Sequence, residues 1–121
     1  NELEAKEQGI PYDVTTYGID DLDRAIADEA AHGIVKVLTV PGKDKIIGVT
    51  IAGLHAGDII SEYVAAMKNG FGMNKILGTI HIYPTLAESN KYVAGNWKKN
   101  NVTEKALAWG ERINRWRRTY V

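Results

Sequence analysis

Hydrophobic and polar positions along the chain divide it into a strand-rich first half and a helix-rich second half. Leu3 to Gln8 reads as a short helix, with Asn1 placed to cap it and Gly9 to stop it. Val14-Thr15-Thr16-Tyr17 is β-branched and aromatic and predicts a strand. Asp20 to Ala31 is acidic and alanine-rich, which fits either a helical turn or an irregular connection. Two apolar-rich runs follow, Gly33 to Val40 and Lys45 to Ala52, around Pro41-Gly42-Lys43-Asp44, a turn by composition. They predict an antiparallel hairpin, and apolar residues on both of its faces predict a strand pair covered on both sides. After Gly53 the period changes. Ile60, Tyr63, Val64 and Met67 fall on one stripe of a helix, with Asp58 and Glu62 near its positive end, Lys68 near its negative end and Gly70 beyond. Met73 to Leu77 predicts a short helical turn and Thr79 to Ile82 an extended segment, which Tyr83-Pro84 ends. Thr85-Leu86-Ala87-Glu88 has the capping-box spacing, so a helix is expected from Leu86 to about Lys98. From Thr103 onward, Ala106, Trp109, Ile113 and Trp116 share roughly one helix face, with arginines beside them.

This order, a helix, strands, a hairpin and then helices, predicts an α+β fold in which an antiparallel sheet carries helices on one side. A βαβ nucleotide fold is not expected. With 121 residues, 45% hydrophobic and 25% charged, the chain has the size and make-up of one globular domain. No apolar run approaches the ~20 residues of a membrane-spanning helix, and the first residues lack the layout of a signal peptide, so a cytoplasmic location is the expectation.

Charge changes this picture more than composition does. The net charge is zero, yet residues 1–31 hold nine acids against two bases and residues 98–118 hold seven bases against two acids. Lys98, Lys99, Lys105, Arg112, Arg115, Arg117 and Arg118, alternating with Trp97, Trp109 and Trp116, are raw material for binding nucleic acid or an anionic membrane. The competing reading is attraction between the two ends, or between one end and another chain. Overall neutrality favours the second, because a neutral protein has little long-range pull on a polyanion. Trp109 and Trp116, sharing a face with Ile113, are also expected to be packed. Neither nucleic acid nor membrane is therefore expected as a partner.

The chemistry is restricted by what is missing. There is no cysteine, which excludes disulfides, thiolate metal sites and thiol nucleophiles within the chain. Neither a Gly-x-Gly-x-x-Gly nor a Gly-x-x-x-x-Gly-Lys-Ser/Thr cradle occurs. His32, His55 and His81 stand 23 and 26 residues apart with no carboxylate at ligand spacing, so no metal site is expected. One segment stands out, Gly78-Thr79-Ile80-His81-Ile82-Tyr83-Pro84-Thr85-Leu86-Ala87-Glu88. If residues 79–83 are extended, His81 and Tyr83 point to one side, and Glu88 can reach back toward them from the next helix. The same residues have bland readings: Glu88 as a helix cap, Tyr83 as a core or interface aromatic, His81 as a partly buried histidine.

The corner resembles the C-terminal signature of the flavin-dependent pyridine nucleotide–disulfide oxidoreductases, the group of lipoamide dehydrogenases, glutathione reductases and mercuric reductases. The resemblance rests on Gly48 to Gly53, His55-Ala56-Gly57-Asp58-Ile59-Ile60, Ala65 to Gly70 and Ile80 to Glu88. It runs from the first residues to about Lys98. It implies a dimerisation domain over residues 1–98, lacking the first strand that family domains carry some ten or more residues before Asn1. Residues 99–121 would then be a basic, Trp-rich helical extension of the same domain.

The resemblance further implies a homodimer, inactive as an isolated chain and without a cofactor of its own. Flavin and nicotinamide domains elsewhere in the parent protein would hold FAD, NAD(P)H and the redox-active cysteine pair. The corner of one subunit would lie over the partner's flavin, through Ile82, Tyr83 and Pro84, with Tyr83 and Glu88 as the residues acting in trans and His81 as a neighbour. The resemblance also implies a cis Tyr83–Pro84 bond. Lipoamide dehydrogenases and glutathione reductases carry an acid/base histidine where this chain has Tyr83, and a glutamate matching Glu88 orients it. A phenol with an ordinary pKa of ~10 is a poor proton acceptor at neutral pH, so the usual dithiol route is in doubt. Mercuric reductases resemble the chain in having tyrosine there, near their metal–thiolate site, but they usually carry a C-terminal cysteine pair that this chain lacks. The alternative reading is a freestanding homodimeric binding module without redox chemistry.

Overall fold

The computed structural model describes residues 1–29 and 31–120, with the side chains of residues 103, 104 and 120 left aside. Helix α1 (Glu2–Glu7) opens the chain under a complete capping box: Asn1 Oδ1 accepts from Glu4 N at 2.9 Å, and Glu4 reaches back to the Asn1 amine. Three strands follow as an antiparallel meander, β1 (Asp13–Gly18), β2 (Gly33–Thr39) and β3 (Ile46–Gly53), in spatial order β1-β2-β3. Between β1 and β2 a 3₁₀ turn (Ile19–Asp21) leads into α2 (Asp23–Ala27). The acidic Asp20–Ala31 segment is thus mostly short helical turns, although Ala30 lies outside the described residues. Helices α3 (Ala56–Lys68), α4 (Met73–Leu77) and α5 (Glu88–Tyr120) complete the chain. The α+β class with an antiparallel sheet is as expected.

Register explains which side chains make the core. Val37 stands opposite Thr15 and Val49, and Val35 opposite Tyr17 and Ile51, so these residues share the face turned toward the helices. Ile59 and Tyr63 of α3, Met73 and Ile76 of α4, and Val93 and Trp97 of α5 pack against that face. Burying each such side chain stabilises the fold by about 1.5–3 kcal/mol.

The other sheet face is only half covered. Leu38 is buried beside α1, and Lys36 Nζ meets Glu2 Oε2 at 3.0 Å, but Ile34, Thr50 and Ala52 remain exposed. The expected cover on both sides is therefore confined to the α1 end of the sheet. Asp44, in the β2–β3 turn, ties the hairpin to α4. Its carbonyl accepts from Met73 N at 2.9 Å and its carboxylate from Asn74 N at 3.3 Å, and Gly72 leaves the room this needs, because a Cβ there would strike Asp44.

Three expectations change. The buried stripe of α3 is Ile59, Tyr63 and Ala66, one position round from the expected one, leaving Val64 and Met67 exposed. The Thr79–Ile82 segment, expected to be extended, is irregular, opens on a bend and joins no strand. The last helix does not stop near Lys98; α5 runs 33 residues, about 50 Å at 1.5 Å per residue. Its first three turns bury one face, through Ser89, Asn90, Val93, Ala94 and Trp97, whereas every side chain described from Lys105 to Thr119 is exposed. Trp109 and Trp116, expected to be packed, are 64% and 63% exposed, because the helix carries them past the end of the core.

Candidate active-site corner

The corner begins where α4 ends. Thr79 Oγ1 donates to the Lys75 carbonyl at 2.7 Å and turns the chain away from the helix. His81 then folds inward, its side chain only 2% exposed. Its Nε2 lies 2.8 and 2.9 Å from the two carboxylate oxygens of Glu62 on α3, and its Nδ1 lies 2.9 Å from the Thr79 carbonyl. Each ring nitrogen faces an oxygen, the Glu62 carboxylate on one side and the Thr79 carbonyl on the other. His81 thus pins the corner to α3.

Beyond it the chain reverses direction. The Tyr83–Pro84 bond is cis, as the family resemblance implied. Thr85 Oγ1 donates to the Ile82 carbonyl at 2.6 Å, and Glu88, itself 6% exposed, accepts from Thr85 N at 3.1 Å. Only half of the anticipated capping box is present. The glutamate reaches back to the backbone, while the threonine hydroxyl serves the loop before it. Ser89 and Asn90 anchor the start of α5, the latter by donating from Nδ2 to the Ile59 carbonyl at 3.0 Å.

Tyr83 projects outward, 66% exposed, flanked by exposed Ile82 and Pro84. Its hydroxyl donates to Asp23 Oδ2 at 2.7 Å. That hydrogen bond, with the charge of the same carboxylate, pushes the phenol above its ordinary value of 10. The structure therefore separates two residues that strand alternation would have put on one side. His81 is turned in to Glu62 and Tyr83 out to Asp23, because the segment pairs with no strand that would impose alternation. Glu88 holds the turn on which Tyr83 stands, and the phenol's own partner is Asp23. Asp23 lies 60 residues from Tyr83, a separation at which local spacing carries no signal. Glu62 was visible only as an acid near a helix start. Among the described residues no group of three or more histidine or acidic side chains could hold a metal ion.

The family model of the pyridine nucleotide-disulphide oxidoreductase dimerisation domain matches residues 1–94. The chain belongs to this family. Dihydrolipoamide dehydrogenase of Chaetomium thermophilum is 37% identical over 94 residues, covering 78% of this chain and 19% of that protein. Dihydrolipoyl dehydrogenase of Vibrio cholerae is 38% identical over 88 residues, 73% of this chain and 18% of that one. The chain therefore spans about a fifth of the length of the curated relatives it matches.

Among solved structures, the Cu(II) complex of the HOCl-induced flavoprotein disulfide reductase RclA from Escherichia coli superposes with a TM-score of 0.72 at 19% identity, over 78% of this chain and 22% of that one. LpdA from Mycobacterium tuberculosis does so at 0.70 and 22%, over 77% and 20%. Both likenesses establish the fold. The family match ends inside α5, at residue 94, before the exposed stretch of that helix.

Proposed function

We propose that two copies of this domain pair and that each lays its corner, Ile82, Tyr83 and Pro84, over the flavin and redox-active cysteines of the partner in a longer cytoplasmic flavoprotein. The observation that carries this reading is the corner itself. An exposed apolar tip is held from behind by His81–Glu62 and Glu88–Thr85, with Ile82 and Tyr83 each about two-thirds exposed. A surface fixed in place yet open to solvent is what a contact in trans requires.

The chain's own residues suit covering a flavin better than holding one. The polar groups behind the tip are already bonded to each other, and the cleft beside it, lined by Arg24, His55, Asp58 and Leu86, is only about 300 Å³. FAD would supply the electron transfer, fed by NAD(P)H, from segments of the parent outside these residues. Tyr83 would supply an oriented phenol. While its proton is given to Asp23, the oxygen offers lone pairs to a partner thiol, and the raised pKa keeps it neutral through the physiological range. This phenol is not a substitute for an imidazole base. In this reading Tyr83 positions and accepts, and Glu88 acts by fixing the turn.

Two measurements test the proposal. Light scattering of the chain across a concentration series should give the mass of two chains; one chain at the highest concentration would contradict pairing. In the parent flavoprotein, a photo-crosslinker placed at Ile82 should attach to the flavin-binding segment of the other protomer. Attachment within its own protomer would overturn the arrangement in trans.

A further inference from the structure

The stretch of α5 beyond the family match has a regular layout. Val102, Ala106, Trp109, Ile113 and Trp116 follow one another at alternating steps of four and three, the spacing of a seam that packs along another surface. Val102, Trp109, Ile113 and Trp116 are large apolar residues left exposed on it. Lys105, Arg112 and Arg117 flank the seam, and Arg115 and Arg118 lie beyond them. A helix this exposed draws little support from its own composition. Gly110 sits in its middle and Asn100 and Asn101 at its root, and a mid-helix glycine costs about 1 kcal/mol relative to alanine. Cover from elsewhere is what such a helix needs.

The complementary surface lies at the opposite end of the same fold. Around α2, Asp20, Asp21, Asp23 and Asp28 are all exposed, as is Ile26, which lines a shallow cleft with Asp23. Arg24 pairs with Asp28 at 2.6 Å, and the remaining aspartates leave a net acidic rim beside an apolar side chain, the inverse of the arm. It sits at the buried end of α5. Asp20 and Asp21 act electrostatically on Tyr17, whose ring stacks on Tyr92 at 5.3 Å, and Asp23 binds Tyr83. From Tyr92 to Trp109 is 17 residues of continuous helix, about 26 Å. While α5 is helical, the arm cannot reach the acidic rim of its own chain. Two arms zipped together would set basic flanks against basic flanks, which disfavours that pairing.

We infer that the arm of α5, residues 99–120, docks on the acidic 19–29 surface of a second copy of this chain, reciprocally in a two-fold dimer. Reciprocity satisfies both surfaces at once, as an isologous contact requires. It also gives the opposite charges of the two ends a role in specifying the partner. The inference rests on the pairing proposed above but concerns a different contact from the corner.

A charge swap in the otherwise intact chain provides the test. R112E/R115E/R117E and D20K/D21K should each weaken self-association at least about tenfold at low salt, and more weakly near 1 M salt. An equimolar mixture should restore a dimer of one copy of each, because arm and rim charges are then complementary in both contacts. Circular dichroism checks that both variants remain folded. A chain ending at Lys98 should lose this contribution as well. If the dimer is unchanged by both the swaps and the truncation, the arm has no part in pairing while the corner reading stands. A parent chain that is monomeric at every concentration would remove both. Failure of the mixture to pair, or arm-dependent binding to single-stranded DNA or anionic vesicles with the dimer unaffected, would assign the arm a different partner and overturn the inference.

Discussion

Tyr83 stands where the family resemblance implies a histidine in the dithiol enzymes, and its hydroxyl is bonded to Asp23 at 2.7 Å. If the carboxylate sets the phenol's acidity, Asp23→Asn should lower the midpoint of one tyrosine toward the ordinary 10 in a titration followed at 295 nm, with the fold intact. An unchanged curve would mean that the bond is not held in solution. Tyr63 and Tyr17 make an opposite argument, from burial. Desolvation drives Tyr63 far above the ordinary value and, with help from Asp21, Tyr17 to about 12. Both folded pKa values are raised, so their stabilisation is full below pH 10, where the unfolded chain keeps its protons too. It is lost as pH climbs through the Tyr17 window of 10 to about 12. The Tyr63 hydroxyl has no hydrogen-bond partner among the described residues. Tyr63→Phe should therefore leave stability at pH 7 unchanged or raise it by up to ~1 kcal/mol. It should also flatten the alkaline loss in urea titrations run at pH 7 and pH 11. Destabilisation at neutral pH would reveal a bonded hydroxyl. Individual residues were legible where the chemistry is local. Asn1 caps α1, Glu88 reaches back one turn, and Gly9 stops a helix at positive φ. They were illegible where the partner is remote, as with Asp23 for Tyr83 and Glu62 for His81.

Elements were read well where turn chemistry and periodicity agree, as in the hairpin about Pro41–Asp44 and the existence of α3. The face of α3 was read one position round, because Ile59, Ile60, Tyr63, Val64, Ala66 and Met67 leave few polar residues to mark the outside. Packing chose the narrow stripe with Ala66, which lets the helix lie close to the core. The Ile80–Ile82 segment has strand composition but no neighbouring strand to bond to, and composition cannot report that. The β2–β3 pairing offers a sharper test. Gly33 and Gly53 face each other across the ladder, both at positive φ, and a Cβ on Gly33 would run into the Ala52 carbonyl and Ile19. Gly33→Ala should cost about 2–4 kcal/mol, combining backbone strain with displacement of a packed strand end. Gly57→Ala, with open space around its Cβ position on α3, should be neutral or mildly stabilising in the same denaturant titration. Equal effects at the two sites would show that strand ends here give way easily.

At the scale of the whole molecule, α5 belongs to two environments. Up to Trp97 it is part of the core, with Val93 and Ala94 buried and Asn96 bonded to the Thr16 carbonyl at 3.0 Å. From Lys105 to Thr119 every described side chain is exposed, and a helix of some 20 residues containing Gly110 is marginal without packing from elsewhere. Its persistence should therefore depend on association. Amide exchange followed by mass spectrometry should show slow exchange in peptides spanning 89–97 at every protein concentration. In peptides spanning 105–119, exchange should be fast in dilute solution and slow down as the concentration approaches that of the dimer. Exchange around Asp20–Asp28 should slow over the same range, since that surface is covered in the same event. The core should not notice. Without the arm, the urea midpoint of the folded domain should stay the same at concentrations too low for pairing, because every side chain described from Lys105 to Thr119 is exposed. Slow exchange along all of α5 in the monomer would mean that the arm is rigid without a partner. A drop in the midpoint on truncation would mean that it already leans on its own core.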